Sequence, residues 1–249
     1  MSLNLIHLWA DVYGLKLPKD LSGETPDKSV LSKQLKNALL EARSRGAKEL
    51  RLRFFKDNHA ISIGEILQSL GFRKNYERIE FNKTVEQLRD DEGTPLRWNT
   101  AQELGLSPEA VAKCLDVVAE GDPGHDPSEK SIEFIQDFLA DPILTSGYGC
   151  IHLAFFRDEF AAMTVVQINP QNGWSRISYM GVAPKFRKQG LGVWVHRFSF
   201  AQMRREGGII YHGGTTAKNK AMLALFRRHQ CEVFQEVEEW SFAVSGAPV

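Results

Sequence analysis

Val182–Gly192, VAPKFRKQGLG, decides the reading of this chain. It joins the end of an apolar run to a long amphipathic stretch through a Pro-led turn. It carries Lys185, Arg187 and Lys188 together with two glycines, Gly190 and Gly192. Glycines at these positions leave backbone N–H groups uncovered where a helix would begin. Free N–H groups and the positive end of the helix dipole make an anion site, and neighbouring cations strengthen it. A solvated strand-to-helix turn uses the same residue types, so the surrounding pattern has to separate the two.

After the loop, Leu191, Trp194, Val195, Phe198 and Ala201 recur at helical spacing, with Arg197, Gln202, Arg204 and Arg205 between them. This is a helix with one buried face, ended by Gly207 and Gly208. Before the loop, Cys150–Phe156 and Phe160–Asn169 flank the polar turn Arg157-Asp158-Glu159 as a hairpin. Pro170–Gly173 makes the next turn, and Trp174–Val182 is a third strand entering the glycine loop. Further upstream, Ser107-Pro108-Glu109 opens a helix with Val111, Leu115 and Val118 on one face, and Gly121 lies beyond it. Asp126-Pro127-Ser128-Glu129 reads as the N-cap of a second helix carrying Ile132, Ile135, Phe138 and Leu139, which Pro142 ends. Downstream come a short strand Ile209–His212, a helix Lys220–Arg228 opened by Thr215, Thr216 and Asn219, and one or two closing strands in Cys231–Phe242.

Two familiar phosphate loops do not fit. A dinucleotide fingerprint needs a third glycine where Val195 stands, and no Gly-Lys-Ser/Thr triplet occurs for a nucleoside-triphosphate loop. What remains is Arg187-x-x-Gly190-x-Gly192, led by Val182 and Pro184. This resembles the R/Q-x-x-G-x-G/A acyl-CoA pyrophosphate loop of the GNAT superfamily of N-acetyltransferases. From residue 97 onward, with Leu96–Thr100 as a weakly marked first strand, the element order resembles a GNAT domain over nearly its whole length. Asn219–Cys231 resembles the family's second motif, in which an Asn opens the helix beside CoA. The resemblance implies an α/β fold with a mixed, mostly antiparallel sheet flanked by helices.

The first eighty residues read helix, strand, helix, strand. Leu31, Leu35, Ala38, Leu39 and Ala42 form an apolar stripe capped by Gly46, and Ala47–Phe55 alternates as a strand. Ser62 and Glu65 make a capping box before Ile66, Leu67 and Leu70, with Gly71 as the stop. GFRKNYERIEF then alternates through Phe72, Tyr76 and Ile79 towards Phe81. SLGFRKNYERIEF resembles the end of a GNAT domain, but Asp27-Lys28-Ser29 stands where an R-x-x-G-x-G would precede the long helix. Residues 1–83 are therefore expected to be a degenerate, partial GNAT-like lobe without CoA, 84–96 a charged linker and 97–249 the transferase domain. An unrelated α/β extension fits the same pattern.

At 249 residues with zero formal net charge and no block of like charge, the chain gives no sign of a nucleic-acid surface. Cys114, Cys150 and Cys231 lie far apart without a C-x-x-C pair, as expected of a reduced cytoplasmic protein. The start MSLNLIHLWADVYG lacks a basic leader, and no apolar run reaches the roughly 18 residues of a membrane span. His196, His212 and His229 lack metal-ligand spacing, so no metal is expected. Oligomeric state is not encoded in these patterns.

The resemblance implies acetyl-CoA as cosubstrate and an amine acceptor. Arg187, Lys188, Gln189, Gly190, Leu191 and Gly192 would hold the pyrophosphate, and Asn219 the pantetheine amides. A backbone N–H around Met180–Val182 would polarise the thioester carbonyl, with Gly181 allowing close approach. The family often places a proton-donating Tyr seven residues after the motif Asn; here that position beside the thioester is Phe226. The usual Gly-Phe pair further on is also replaced, by Gln230 and Cys231. Tyr179, Tyr211 and His212 are the alternative proton-transfer groups. His212 ends a strand at the expected thioester and exchanges protons near neutral pH, and Tyr179 shares a strand face with Gly181. Asp122, His125 and Asp126 could meet a cationic acceptor, although Asp126 is also a helix cap. Glu236, Glu238 and Glu239 fit a solvent-facing edge strand, from which one could also face the acceptor, and Asp158 and Glu159 fit a solvated hairpin tip. A CoA-binding sensor without catalysis, or a transferase of longer acyl chains, fits the same residues.

Overall fold

The computed structural model describes residues 4–9, 12–16, 28–56, 60–85, 93–123, 130–139, 144–145 and 147–244. In chain order the elements are β1 (Asn4–Trp9), β2 (Val12–Lys16), α1 (Lys28–Ser44), β3 (Glu49–Phe55), α2 (Ala60–Ser69), β4 (Arg73–Thr84), β5 (Arg97–Thr100), α3 (Pro108–Ala119) and α4 (Ser131–Leu139). There follow β6 (Ile151–Phe156), β7 (Glu159–Ile168), β8 (Trp174–Val182), α5 (Leu191–Arg205), β9 (Ile210–Thr216), α6 (Lys220–Arg228) and β10 (Glu232–Ala243). The chain forms two compact units, Met1–Ile79 with Gln235–Val249, and Glu80–Phe234. This division follows strand pairing and not chain order. It differs from limits at 83 and 96, because the end of β4 belongs with the second unit and most of β10 with the first.

The first unit has strand order β1-β2-β3-β10-β4. The α1 stripe Leu31, Leu35, Ala38, Leu39 and Ala42 is buried against Leu50, Leu52, Phe54 and Trp240. Gly46 adopts φ +75 and ends the helix, with Ala47 N–H donating to the Ala42 carbonyl. Two strands, β1 and β2, precede the expected helix. β2 runs parallel to β3 through all of Val12–Lys16, and β3 is antiparallel to β10. Helix α2 begins at Ala60, so Ser62 lies within its first turn and is not its cap. The Ser62 side chain lies outside the described residues. β10 sits between β3 and β4, which corrects the edge-strand expectation for Glu238 and Glu239, while Glu236 does face solvent, beside Lys56. Glu239 is 6% exposed and paired with Arg53, Arg51 and Tyr76. Glu238 takes Lys74 and the Trp240 indole N–H.

The second unit has order β4-β9-β8-β7-β6-β5, antiparallel from β5 to β8 and parallel between β8 and β9. Its core packs Val111, Leu115, Val118 and Ile135 of α3 and α4, and Leu191 and Val195 of α5, with Leu153, Met163 and Val165 of the sheet. Ser107 caps α3 by accepting the Ala110 N–H at 3.3 Å. Arg157 and Asp158 have φ 52 and 63, the left-handed pair of a tight hairpin turn. Helix α4 begins at Ser131, and the predicted cap Asp126–Glu129 lies outside the described residues, as do Asp27, His125, Pro142 and most of the predicted linker. β9 extends to Thr216, so Thr215 and Thr216 are strand residues and not the start of α6. No helix among the described residues is long and apolar enough to cross a membrane.

Candidate active site

β8 and β9 begin side by side and then part. Their register runs Trp174↔Ile210, Ser175↔Tyr211, Arg176↔His212 and stops there, although β8 continues to Val182 and β9 to Thr216. A bulge contributes. Opposite β7 the register shifts between Val165 and Val166, leaving Ser178 as the extra residue, and a bulge bends its strand. The parting leaves backbone groups of Ile177–Val182 without a β9 partner, facing a V-shaped opening.

The quoted loop closes one end of this opening. Gly190 takes φ +80 as the N-cap of α5, and it brings no side-chain cap. The first N–H groups of the helix, those of Leu191 and Gly192, precede any intrahelical acceptor, whereas Val193 N–H donates to the Gly190 carbonyl at 3.1 Å. Lys188 is also left-handed, with φ 60, while Gln189 between them is not. Such alternation is the geometry of an anion-binding backbone nest. Lys188, Gln189 and Gly190 are exposed, and a Cβ on Gly190 would meet nothing within 4 Å. Leu191 is buried and anchors the helix start. At Gly192 the nearest neighbour to a Cβ is Leu225 at 3.7 Å. Arg187 does something else. Its Nε donates to the Val182 carbonyl at 2.8 Å and its guanidinium to the Val118 carbonyl at 3.1 Å, tying the end of β8 to α3.

Asn219 caps α6 by accepting the Met222 N–H at 3.0 Å, and its amide donates to Asp122 Oδ1 at 3.2 Å. The other Asp122 oxygen accepts a long hydrogen bond from Tyr179, 3.4 Å. Burial, and after it the Asp122 carboxylate, push the Tyr179 phenol well above its ordinary range. Tyr179 is thus a protonated hydrogen-bond donor and a poor proton acceptor. Gly181 does share its sheet face, but a Cβ there would strike Val118 at 2.9 Å. The close approach that Gly181 permits is therefore that of α3.

His212 stands where the two strands separate. Its Nδ1 is 2.5 Å from Asn82 Oδ1, and its Nε2 is 3.4 Å from Glu80 Oε2. Trp174 and Phe234 flank the ring, with centroids at 5.9 and 5.5 Å. The Asn82 oxygen at Nδ1 suits a ring proton there, and Nε2 is the nitrogen turned toward Glu80. Glu80 and Asn82 were missed by sequence reasoning. They lie two apart on a strand that reads as the end of the N-terminal lobe, and Asn82 is 130 residues from His212.

Phe226 does not face the opening. It is 0% exposed and stacks on Phe81 at 4.2 Å, because its position in the α6 turn points inward among Tyr211 and His196. Tyr211 is buried as well, its hydroxyl 3.4 Å from His196 Nε2. His196 and His229 meet Nδ1 to Nδ1 at 2.6 Å, one donating and the other accepting. Burial holds His196 well below its ordinary range, with His229 adding to the effect. Burial, then Arg197 and Arg228, lower His229 to about 4.

Residues 113–230, which contain the loop and most of the opening, match the Acetyltransferase (GNAT) family. Residues 113–230 are thus similar to a GNAT domain. No curated protein sequence matches the chain. In fold the chain is similar to a functionally unknown conserved protein from Staphylococcus epidermidis, with TM-score 0.67, 12% identity and coverage of 93% of this chain and 84% of the other. It is also similar to a GCN5-related N-acetyltransferase from Sphaerobacter thermophilus, with TM-score 0.66, 14% identity and coverage of 99% and 77%. A tandem GNAT protein from the clavulanic acid biosynthesis pathway has TM-score 0.60, 11% identity and coverage of 99% and 79%. The likeness to these structures extends through the N-terminal region.

Proposed function

We propose that the protein is an acyl-CoA-dependent N-acyltransferase that moves an acetyl group to the primary amine of a small molecule or peptide. The parting of β8 and β9 above His212, ending at the uncapped N-terminus of α5, carries this reading. Acyl-CoA supplies the activated thioester. The N–H groups of Gln189–Gly192, with the Lys188 ammonium, hold the pyrophosphate, and Arg187 fixes the loop by clamping the strand end to α3. Backbone N–H groups of Met180–Val182 polarise the thioester carbonyl. Asn219 reaches the pantetheine amides by exchanging its Asp122 partner for them.

His212 Nε2 accepts the proton of the acceptor ammonium, and Glu80 stabilises the resulting imidazolium. The amine nitrogen bonds to the acyl carbon and gives its second proton to water, the C–S bond breaks, and the thiolate takes its proton from water. Phe226 has no part in that step. The limits 1–83, 84–96 and 97–249 describe the two repeats in this reading, the first without cofactor. Cys114, Cys150 and Cys231 form no disulfide among the described residues, which supports a cytoplasmic setting.

A second reading, a CoA-binding sensor, is favoured by Phe226, a buried phenylalanine with no proton to give where the resemblance expects a tyrosine. Calorimetry with acetyl-CoA followed by thiol-release assays across amines separates the two. The transferase binds and turns over, whereas the sensor only binds. Absence of binding would reject both. Longer acyl chains in the same assay define the donor.

A further inference from the structure

We propose that the acceptor is a hydrophobic monoamine, one primary amine on an aromatic or branched aliphatic body, seated on an apolar shelf beside His212. This rests on the reading of His212 as the proton acceptor of an N-acyl transfer. The shelf consists of Trp174, Ile210 and Phe234. Parallel register places Trp174 opposite Ile210 and Arg176 opposite His212, and side chains two apart on a strand share a face. Trp174, Ile210, Arg176 and His212 therefore project from the same side of the sheet. Phe234 meets the His212 ring edge to face, and Trp174 lies against it at a tilt of 33°. Phe234 is 54% exposed and Ile210 45% exposed. These are large apolar groups left facing solvent around a polar centre.

Charge selects among amines. One carboxylate, Glu80, lies beside His212 Nε2 and suits a single ammonium. The register neighbour of His212 is a cation, Arg176, whose guanidinium donates to Gln167 at 2.7 Å and to Ser178 at 3.0 Å. A polyamine or a lysine-rich peptide would set further positive charge against Arg176. An aryl or branched alkyl body instead covers the exposed rings. It also lowers the ammonium's pKa by desolvation, which assists its loss of a proton to His212.

Phenethylamine, isoamylamine, ethanolamine and spermidine serve as probes, each titrated calorimetrically into the CoA-saturated protein and assayed with acetyl-CoA for thiol release. Phenethylamine and isoamylamine should bind and be acetylated ahead of ethanolamine and spermidine. Phe234→Ala should weaken phenethylamine binding and raise its KM roughly tenfold, raise that of ethanolamine far less, and be largely rescued by Phe234→Leu. Phe234 is exposed, so its replacement spares the fold. Ethanolamine or spermidine binding as well as phenethylamine, or a Phe234→Ala effect equal for all amines, would overturn the shelf while leaving the transferase reading intact. Phenethylamine binding that depends on Phe234 without any thiol release would uphold the shelf and overturn the transferase.

Discussion

Each unit contains a strand, a helix and a second strand parallel to the first, and the two sets end differently. In the first unit, β2 pairs with β3 along its whole length, Val12–Lys16 against Glu49–Arg53. In the second, β8 is nine residues long, and its pairing with β9 stops after three. The zipped pair leaves no opening among the described residues, and the polar groups beside it satisfy each other through Glu239, Arg51, Arg53 and Tyr76. The unzipped pair exposes backbone N–H groups and ends at a helix start without a cap. A cofactor arm can be held by strand edges only where those edges have not been spent on each other.

The largest effect should come from the unzipped side. Gly190→Trp places a bulky side chain at φ +80, where only glycine is unstrained, and covers the nest. Acetyl-CoA affinity measured by calorimetry should fall about 100-fold. Unchanged affinity would remove the loop from the site.

Acid should loosen the second unit first. Burial lowers His152, an interior residue of β6, to about 4. The unfolded chain then binds a proton that the folded one refuses, so its stabilisation is complete above pH 6.5 and is lost as pH falls towards 4. The full loss at that one site is at most about 3 kcal/mol. The buried His196–His229 pair acts with the same sign. Hydrogen exchange followed by mass spectrometry from pH 7 to 4 should lose protection over α5, β9 and α6 before β3 and α1. Loss in the reverse order would contradict this.

On the zipped side, Glu239→Leu strips the carboxylate from Arg51, Arg53 and Tyr76. Stability by urea unfolding should fall by about 2 kcal/mol, with acetyl-CoA affinity unchanged. A parallel loss of affinity would show that the network serves the cofactor. The smallest effect belongs to Gln230, which holds φ +53 at the end of α6, with Cys231 N–H donating to the Phe226 carbonyl at 2.9 Å. Gln230→Gly relieves the left-handed strain and should raise stability by about 1 kcal/mol. No gain would mean that the Gln230 side chain repays its strain.

Much of this architecture was legible because its signals are local. The α1 stripe, the Ser107 cap, the 157–158 turn and the 182–192 loop each depend on neighbours within a few residues. What escaped depends on distant pairing. β1 and β2 carry weak alternation and gain their partner only when β3 arrives. Glu238 and Glu239 looked solvent-facing because a charged alternating strand reads as an edge until strands on both sides bury it. Phe226 and Gly181 kept their predicted positions but not their expected neighbours, since a helix turn and an α3 carbonyl settled which way each faces.

The sequence by itself determined the 182–192 turn, its glycines and cations, and its resemblance to a GNAT loop, because backbone conformation at Gly190 is a property of the residue there. Tertiary structure decided the setting of His212: the carboxylate of Glu80, the amide of Asn82 and the exposed rings beside it. These groups come from β4, β8 and β10, and only hydrogen bonding between strands remote in sequence brings them to one place.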